Sequence, residues 1–338
     1  MTHLKVEIQD CIPDIPKWGM PVTIITGFLG SGKTTLLNQI LKNKDNLKVA
    51  VLVNEFGDID IDSQLLVSLD EDMVELSNGC ICCTINEGLV DAVYRVLSRS
   101  DRVDYMVIET TGVADPLPII LTFLGTEFRD LTRLDSIITM VDSETFTPEH
   151  FNSEAALNQI AYGDIILLNK TDLVPEAQAH SLEKYIRSVK NQARILRSQY
   201  GNVPLSLILD VELSQPESYP KTSNHDPHQH DHHQHEHHHH HSHHLENDGF
   251  MSISFQSDRP FLVDKFQEFL DELPEDVFRA KGIIWFKESQ LRHIFQLSGK
   301  RYNMETDEWM KSPSNQLVLI GRNLQAERLR QQLNNCIE

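Results

Sequence analysis

A glycine-rich stretch near the start of the chain has the residue types and spacing of a phosphate-binding loop. It reads Gly27-Phe28-Leu29-Gly30-Ser31-Gly32-Lys33-Thr34-Thr35 and matches the pattern G-x-x-x-x-G-K-[ST] in full. The glycines let backbone N–H groups surround phosphate oxygens, Lys33 can neutralise the β- and γ-phosphates, and the Thr34 hydroxyl can bind Mg²⁺. An apolar run precedes the motif and an amphipathic helical pattern follows it, so a chance match is disfavoured. The sequence predicts a nucleoside triphosphate site at Gly27, Gly30, Ser31, Gly32, Lys33, Thr34 and Thr35.

A second motif, Asn169-Lys170-Thr171-Asp172, follows the apolar run DIILL. An Asp carboxylate can accept two hydrogen bonds from N1–H and the 2-amino group of guanine, whereas adenine has no matching pair of donors. The motif is short, and by itself it is equally typical of a polar turn. Together with the phosphate-binding loop it predicts that Asn169, Lys170 and Asp172 bind the base, and that the nucleotide is GTP.

A third motif, Glu109-Thr110-Thr111-Gly112, follows the apolar run YMVI. In nucleoside triphosphatases of this kind an acid at this position orients Mg²⁺ or water. Gly112 lacks a Cβ, so its N–H can come close to the γ-phosphate. Glu109 could instead be a simple cap at the end of a strand. We predict Lys33, Thr34, Glu109 and Gly112 as the catalytic group.

Three cysteines lie within four residues, at Cys80, Cys82 and Cys83, in a segment from residue 50 to 94 that has ten acids and no Lys or Arg. Thiolates at this spacing can share a cation such as Zn²⁺, and a nearby carboxylate can complete the site. Small buried cysteines or a redox pair are the alternatives. The sequence favours a zinc site.

Thirteen of the seventeen histidines lie between residues 225 and 244. Closely spaced imidazoles bind Zn²⁺, Ni²⁺ or Co²⁺ without fixed geometry, which suits metal capture better than catalysis. An inert polar linker is the alternative, and an engineered tag is disfavoured because Asp, Glu and Gln are interspersed. The metal-binding candidates are His225, His228, His230, His232, His233, His235, His237, His238, His239, His240, His241, His243 and His244.

The elements that position these motifs alternate short apolar runs with helical patterns from Pro21 to about residue 210. Runs that are apolar on both faces and separated by helices predict an α/β fold with a mostly parallel sheet covered by helices, with ligands at the carboxyl ends of the strands. We expect a flexible N-terminal extension at 1–20, a nucleotide-binding domain at 21–211, a disordered His-rich linker at 212–249 and a small α+β domain at 250–338.

The chain has 338 residues, with 30 Lys and Arg against 50 Asp and Glu, which gives a net charge of −20. This charge argues against nucleic acid or an anionic membrane surface as the partner. No apolar run is long enough to cross a bilayer, and the N-terminus lacks the pattern of a secretory signal. Five cysteines, three of them clustered, suit a reducing compartment, so we expect a cytoplasmic protein.

Taken together, GFLGSGKTT (27–35), VNEFGDIDID (53–62), ELSNGCICC (75–83), ETTGVADP (109–116) and NKTD (169–172) resemble the CobW-type family of P-loop GTPases. The segment RAKGIIWF (279–286) is similar to the C-terminal domain of that family. The family is related to the GTPases that deliver nickel to urease and hydrogenase. The resemblance implies a GTP-hydrolysing metallochaperone, most often for zinc, in which Cys80, Cys82 and Cys83 bind the metal beside a switch-like segment with Glu55 and Asp58.

Three functions stay open at this point. The first is a GTPase that delivers zinc to a client metalloprotein through its C-terminal domain. The second is a metal buffer based on the histidine tract, and the third is cobalt delivery for cobalamin synthesis. A homodimer is left open. GTP, Mg²⁺ and Zn²⁺ are the expected ligands, with Co²⁺ or Ni²⁺ as alternatives to zinc.

Overall fold

The computed structural model describes residues 19–43, 47–54, 73–76, 87–98, 103–112, 114–125, 128, 130–147, 153–210, 250–310 and 312–337. The first sheet has seven strands: β1 Met20–Gly27, β2 Val49–Asn54, β3 Met73–Leu76, β4 Tyr105–Glu109, β5 Thr132–Asp142, β6 Ile165–Asn169 and β7 Arg194–Arg197. Their order is β3-β2-β4-β1-β5-β6-β7, and every neighbouring pair is parallel. All the carboxyl ends therefore lie at one edge.

In the described ranges six helices accompany this sheet: α1 Lys33–Lys42, α2 Glu87–Leu97, α3 Leu117–Leu124, α4 Glu154–Tyr162, α5 Glu176–Val189 and the short α6 Leu205–Ile208. Side chains of a strand point alternately to its two faces, so neighbouring apolar residues enter different cores. In β1, Ile25 packs with α1, whereas Ile24 packs on the opposite face with α2 and α3. Helices thus cover both faces of the sheet.

The C-terminal unit is an antiparallel sheet with two helices. Its strands are β8 Phe250–Ser257, β9 Val277–Ile284, β10 Arg292–Ser298, β11 Arg301–Asp307 and β12 Asn315–Arg322, in the order β11-β10-β9-β12-β8. The helices are α7 Val263–Asp271 and α8 Ala326–Asn335. A phenylalanine-rich core joins helices and sheet, with Phe266 in edge-on contact with Phe286 and Phe295.

The predicted fold class is confirmed: a parallel α/β unit is followed by a small α+β unit. Strands β3, β7 and β11 were not predicted. β7 has only four residues, and β11 is an edge strand whose sequence RYNMETD is polar and mostly half-exposed. Within the described ranges, no helix is both long and apolar enough to span a membrane.

The C-terminal unit packs against the amino-terminal edge of the parallel sheet, through a buried network around Asp135 near the start of β5. The guanidinium of Arg279, in β9, donates to both Asp135 oxygens, at 3.2 and 2.5 Å. The Tyr105 hydroxyl, at the start of β4, donates to the same carboxylate, and the Asp210 N–H donates to it at 2.9 Å. The Asp210 carboxylate in turn pairs with Arg133 at 2.7 Å and with Lys281 at 3.1 Å.

A second set of contacts lies beside the first, where β6 begins. Arg301 of β11 donates to the Asp164 carboxylate at 2.7 and 3.1 Å, and to the carbonyls of Leu134 and Asp135 at 2.7 Å each. Gly299 approaches Asp164 so closely that a Cβ at Gly299 would lie 2.2 Å from the Asp164 carbonyl oxygen. The two units are therefore joined by buried charges and by close backbone contact, at the edge opposite the carboxyl ends of the strands.

We predict that Arg279→Met lowers the free energy of unfolding by about 3–5 kcal/mol, because removing one member of a buried ion pair leaves the other charge uncompensated. Urea unfolding of the full chain measures the effect. Lys265→Met is the matched control, since it removes an exposed pair with Glu268 and should leave the midpoint unchanged. Equal midpoints for the two variants would contradict the assignment.

The same network predicts how stability depends on pH. Burial by itself raises the pKa of Asp135, but the charges of Arg279 and Arg133 outweigh it and hold the pKa below its ordinary value. A carboxyl whose pKa is lowered on folding stabilises the protein above its unfolded pKa of about 3.9, and this contribution is lost as the pH falls through the folded pKa. Asp135→Asn should therefore flatten the loss of stability below about pH 4, measured by urea unfolding across pH.

Candidate functional site

The phosphate-binding loop leaves β1 at Gly27 and enters α1 at Lys33, and its backbone requires glycine at two points. Gly27 has φ +137°, and a Cβ there would lie 2.2 Å from the Met140 carbonyl oxygen of β5. Gly32 has φ +100° and begins α1 in a left-handed conformation. These conformations suit glycine and are strained for other residues. The loop thus turns sharply from the strand into the N-terminus of a helix, where anions are favoured.

Two predicted phosphate ligands lie inside this loop. Lys33 is buried, and its Nζ donates to the Phe28 carbonyl at 3.2 Å, so the ammonium lies across the loop. Ser31 is also fully buried, and its Oγ has no hydrogen-bond partner among the residues that the structure describes. Thr35 is exposed on the first turn of α1. A phosphate bound here would meet a positive charge and a helix N-terminus together.

Thr34 and Glu109 come together although 75 residues separate them. The Thr34 hydroxyl donates to Glu109 Oε1 at 2.9 Å, and the Glu109 side chain is buried at the end of β4. A hydroxyl and a carboxylate are the oxygen ligands that Mg²⁺ prefers. The pair fits a magnesium ion of a nucleotide complex, and Thr34 and Glu109 would hold it.

The segment after Glu109 lies directly against the phosphate-binding loop. The Thr110 N–H donates to the Ile25 carbonyl at 2.9 Å, which continues the β1–β4 pairing by one residue. Gly112 lies so close to Leu29 that a Cβ would be 2.6 Å from the Leu29 backbone nitrogen. Glycine is therefore required at 112 by backbone contact, and Gly112 lies beside the loop where the sequence predicts a γ-phosphate.

Asn169, at the end of β6, connects two loops through its buried amide. Its Nδ2 donates to the Ser31 carbonyl at 3.0 Å, and its Oδ1 accepts from Ser198 Oγ at 3.1 Å and from Gly201 N–H at 3.0 Å. The amide is thus engaged within the protein. In this arrangement Asn169 positions the phosphate-binding loop and the loop after β7, whereas the sequence predicts that it contacts the nucleotide.

Lys170 adopts a left-handed conformation, with φ 59°, and its Nζ pairs with Asp142 at 2.7 Å. The Asp142 carboxylate also accepts from the N–H groups of Glu144 and Thr145. Partial burial by itself raises the pKa of Asp142. The hydrogen bonds, that from Lys170 foremost, lower the pKa by more than burial raises it, so it lies below the ordinary value. Asp142 therefore stays ionised at neutral pH and holds Lys170 in place.

Asp172 is exposed in a short 3₁₀ helix, Thr171–Leu173, so its carboxylate is available to a base. The loop from Ser198 to Gly201 lies next to it, since Thr171 donates its N–H and its hydroxyl to the Ser198 carbonyl. Tyr200 in this loop is 71% exposed and has φ 53°. Sequence reasoning missed this loop because β7, which positions it, is too short to recognise.

The chain matches two family models in succession. Residues 21–197 match the CobW/HypB/UreG nucleotide-binding domain, and residues 250–337 match the cobalamin synthesis protein cobW C-terminal domain. The chain belongs to the CobW/HypB/UreG family. It is a P-loop GTPase of that family, and the family predicted from the sequence motifs is confirmed.

The chain is similar to members of this family from several organisms. The zinc chaperone CobW of Pseudomonas aeruginosa is 33% identical over 94% of this chain and 92% of its own length. The zinc chaperone YjiA of Escherichia coli is 31% identical over 91% of this chain and 96% of its own length. Zinc-regulated GTPase metalloprotein activator 1 of Dictyostelium discoideum is 32% identical over 83% of this chain, and the alignment spans 66% of that protein.

The predicted metal ligands of this CobW/HypB/UreG protein lie outside the described residues: Cys80, Cys82, Cys83, Glu55, Asp58 and the histidines between 225 and 244. In the described ranges no three His, Cys, Asp or Glu side chains form a metal site. The described cysteine, Cys336, is buried, and burial raises the pKa of its thiol to about 11. Cys336 is therefore protonated at neutral pH and is a poor metal ligand.

We predict that Asp172→Asn weakens GTP binding by at least about a hundredfold, because an amide cannot accept both hydrogen bonds from guanine. The amide can accept one hydrogen bond and donate one, which matches N1–H and the 2-oxo group of xanthine, so affinity for xanthosine triphosphate should rise. Competition binding against a fluorescent GDP measures both changes. Glu176→Gln, on the exposed start of α5, is the control and should change neither affinity. Unchanged discrimination in Asp172→Asn would remove this residue from the base site.

Proposed function

We propose that this chain is a GTP-hydrolysing metallochaperone that binds Zn²⁺ and passes it to a client protein under nucleotide control. One observation carries the GTPase half of the proposal: Thr34 of the phosphate-binding loop and Glu109 of β4 meet at 2.9 Å. This contact brings the phosphate-binding loop to the acid that such enzymes need near the γ-phosphate. The names of the relatives from Pseudomonas and E. coli, both zinc chaperones, support zinc as the cargo.

The site provides most of what phosphoryl transfer needs as positioning and charge. Lys33 and the N–H groups at the start of α1 would balance the negative charge that spreads over the transferred phosphoryl group. Thr34 and Glu109 would hold Mg²⁺, which would supply positive charge to neutralise the phosphates. Asp172 would bind guanine, and Lys170, held by Asp142, would support it. The sequence marks no arginine for a catalytic role, so intrinsic hydrolysis is expected to be slow.

The positions where the described strands end support a connection between the metal and the nucleotide. β2 ends at Asn54 and β3 at Leu76, at the same edge of the sheet as Glu109. Glu55 directly follows Asn54 in the sequence, and Cys80 is four residues after Leu76. A chain of four residues spans at most about 14 Å. We propose that the segment containing Glu55, Asp58, Cys80, Cys82 and Cys83 binds the metal near the γ-phosphate and responds to the nucleotide.

Thiolate ligands also limit where the protein can work. Zinc binds reduced cysteines, so the proposal requires a reducing compartment, and we expect the cytoplasm. For the client we propose the C-terminal unit as the contact surface. Its edge strand β11 is half-exposed to exposed along its length, with Tyr302 43% exposed. A second copy of the chain is the other partner that we keep as a proposal.

The histidine tract gives a second candidate function, metal buffering. Its thirteen histidines lie between Asp210, which is ion-paired at the interface of the two units, and Phe250, the first residue of β8. If buffering were the main function, zinc binding would depend on the histidines and would ignore the nucleotide.

The deciding measurement is Zn²⁺ affinity by chelator competition on the full chain, with GDP or a non-hydrolysable GTP analogue bound. Delivery predicts that the triple variant Cys80/Cys82/Cys83→Ser loses the tightest site, and that the affinity of this site in the wild type differs severalfold between the two nucleotides. The matched variant replaces the thirteen tract histidines with asparagine, and it should keep that site and its nucleotide dependence. Buffering predicts the reverse pattern, and that result would overturn zinc delivery.

Lys33→Ala separates the two functions independently. It removes the charge that balances the phosphates, so GTP binding and hydrolysis should fall by at least about a hundredfold. The nucleotide dependence of zinc affinity should disappear, while binding by the histidine tract should persist. If Lys33→Ala retained nucleotide-dependent zinc affinity, the proposed coupling would be wrong.

A further inference from the structure

Gln159, in the second half of α4, is a buried side chain that points at the loop beside the phosphates. Its Nε2 donates to the Ala114 carbonyl at 3.0 Å and to the Gly112 carbonyl at 3.4 Å. The side chain is 2% exposed. We propose that Gln159 is a positioning residue for GTP hydrolysis, which holds these two carbonyls toward α4 so that the loop favours GTP over GDP.

The position of Gly112 is determined from two sides. On one side its Cα lies against the backbone of Leu29, with no room for a Cβ, and on the other its carbonyl accepts from Gln159. Glu109, three residues earlier, is held by Thr34. The loop therefore lies at the phosphate end of the site, while Lys170 on the base side is held by Asp142.

The two hydrogen bonds from Gln159 affect which nucleotide binds, for an electrostatic reason. The carbonyl oxygens of Gly112 and Ala114 carry partial negative charge, and turned toward a γ-phosphate they would repel it. The amide of Gln159 binds both oxygens in a buried setting, where an unmade hydrogen bond is costly. Because GDP lacks the γ-phosphate, loss of this amide should weaken GTP binding more than GDP binding.

Helix α4 is itself well supported, so Gln159 acts from a rigid base. The Gln159 backbone carbonyl accepts from Thr139 Oγ1 of β5 at 2.5 Å, and the N-cap residue Ser153 accepts from the Ala156 N–H. The neighbouring Asn158 donates to Asp115 at 2.8 Å, a second contact from α4 to the same loop. A helix tied to the sheet and to the loop can hold the loop in one arrangement.

The test measures the ratio of GDP to GTP affinity, with a non-hydrolysable GTP analogue and GDP, on the full-length protein. Gln159→Leu keeps the size of the side chain and removes the donor. We expect the affinity for the GTP analogue to fall about tenfold, with GDP affinity changed less than about twofold. The kcat for GTP should fall as well. Gln159→Glu, which places a carboxylate against two carbonyls, should show a larger loss of the GTP analogue.

Gln178→Leu is the matched control, because Gln178 of α5 also donates to a loop carbonyl, that of Ser143, but on the base side of the site. GTP and GDP carry the same base, so this variant should leave their affinity ratio at the wild-type value. Asn158→Ala tests the proposal at a half-buried position, should Gln159→Leu fail to fold. It should shift the ratio in the same direction by a smaller factor.

Two results would overturn the proposal. If Gln159→Leu weakened binding of GDP and of the GTP analogue equally, Gln159 would support only the fold. If Gln159→Leu were insoluble, an unchanged affinity ratio in Asn158→Ala would lead to the same conclusion. The inference rests on the proposed nucleotide site, and different results would refute the site and the role of Gln159. Absence of GTP binding by the wild type would refute the site itself, whereas normal binding with an unchanged ratio in the variants would refute only the role of Gln159.

Discussion

The candidate site depends on one buried amide more than on any other side chain. Asn169 joins the phosphate-binding loop at Ser31, the loop after β7 at Ser198 and Gly201, and through its own backbone the base-reading turn that follows. Gly32 makes room for it, since a Cβ at Gly32 would lie 2.4 Å from Asn169 Nδ2. Each bond contributes about 1 kcal/mol, but a lost partner would leave buried polar groups unsatisfied at a higher cost. The distance between the phosphate and base halves of the site is thereby set before any nucleotide binds.

The opposite edge of the sheet is held as firmly by a different interaction. Asp135 is surrounded by Arg279, Arg133 and Tyr105, and such a buried charge is tolerated because each oxygen has charged or hydrogen-bonding partners. In a parallel sheet the amino ends carry no ligand site, so this edge is available for joining the C-terminal unit. Nucleotide chemistry and domain contact are therefore separated by the length of the strands.

The sequence was sufficient for the elements whose signal is local. The phosphate-binding loop is recognisable because a helix N-terminus and glycines with positive φ demand particular residues, and β1, β4 and β6 because they are apolar on both faces. It was insufficient where a role depends on a distant partner. Nothing near Asn169 in the chain indicates that its amide bonds Ser31 and Gly201, and nothing near Arg279 indicates Asp135, which is 144 residues away. Short or polar strands such as β7 and β11 give no clear periodicity, so the loop with Tyr200 was missed.

Helix α4 lies between the two edges and shows where movement can be accommodated. Its central residues Asn158 and Gln159 bind the loop after Glu109, and two residues beyond its C-terminus Asp164 is bound by Arg301 and lies against Gly299. The helix cannot shift along its axis without breaking buried bonds at its foot. A change on loss of the γ-phosphate is therefore expected in the loop after Glu109 and not in α4. β2 ends beside Glu109, with Val53 paired to it, and β3 ends at the same edge of the sheet, so a change in the loop would act first on the ends of those two strands.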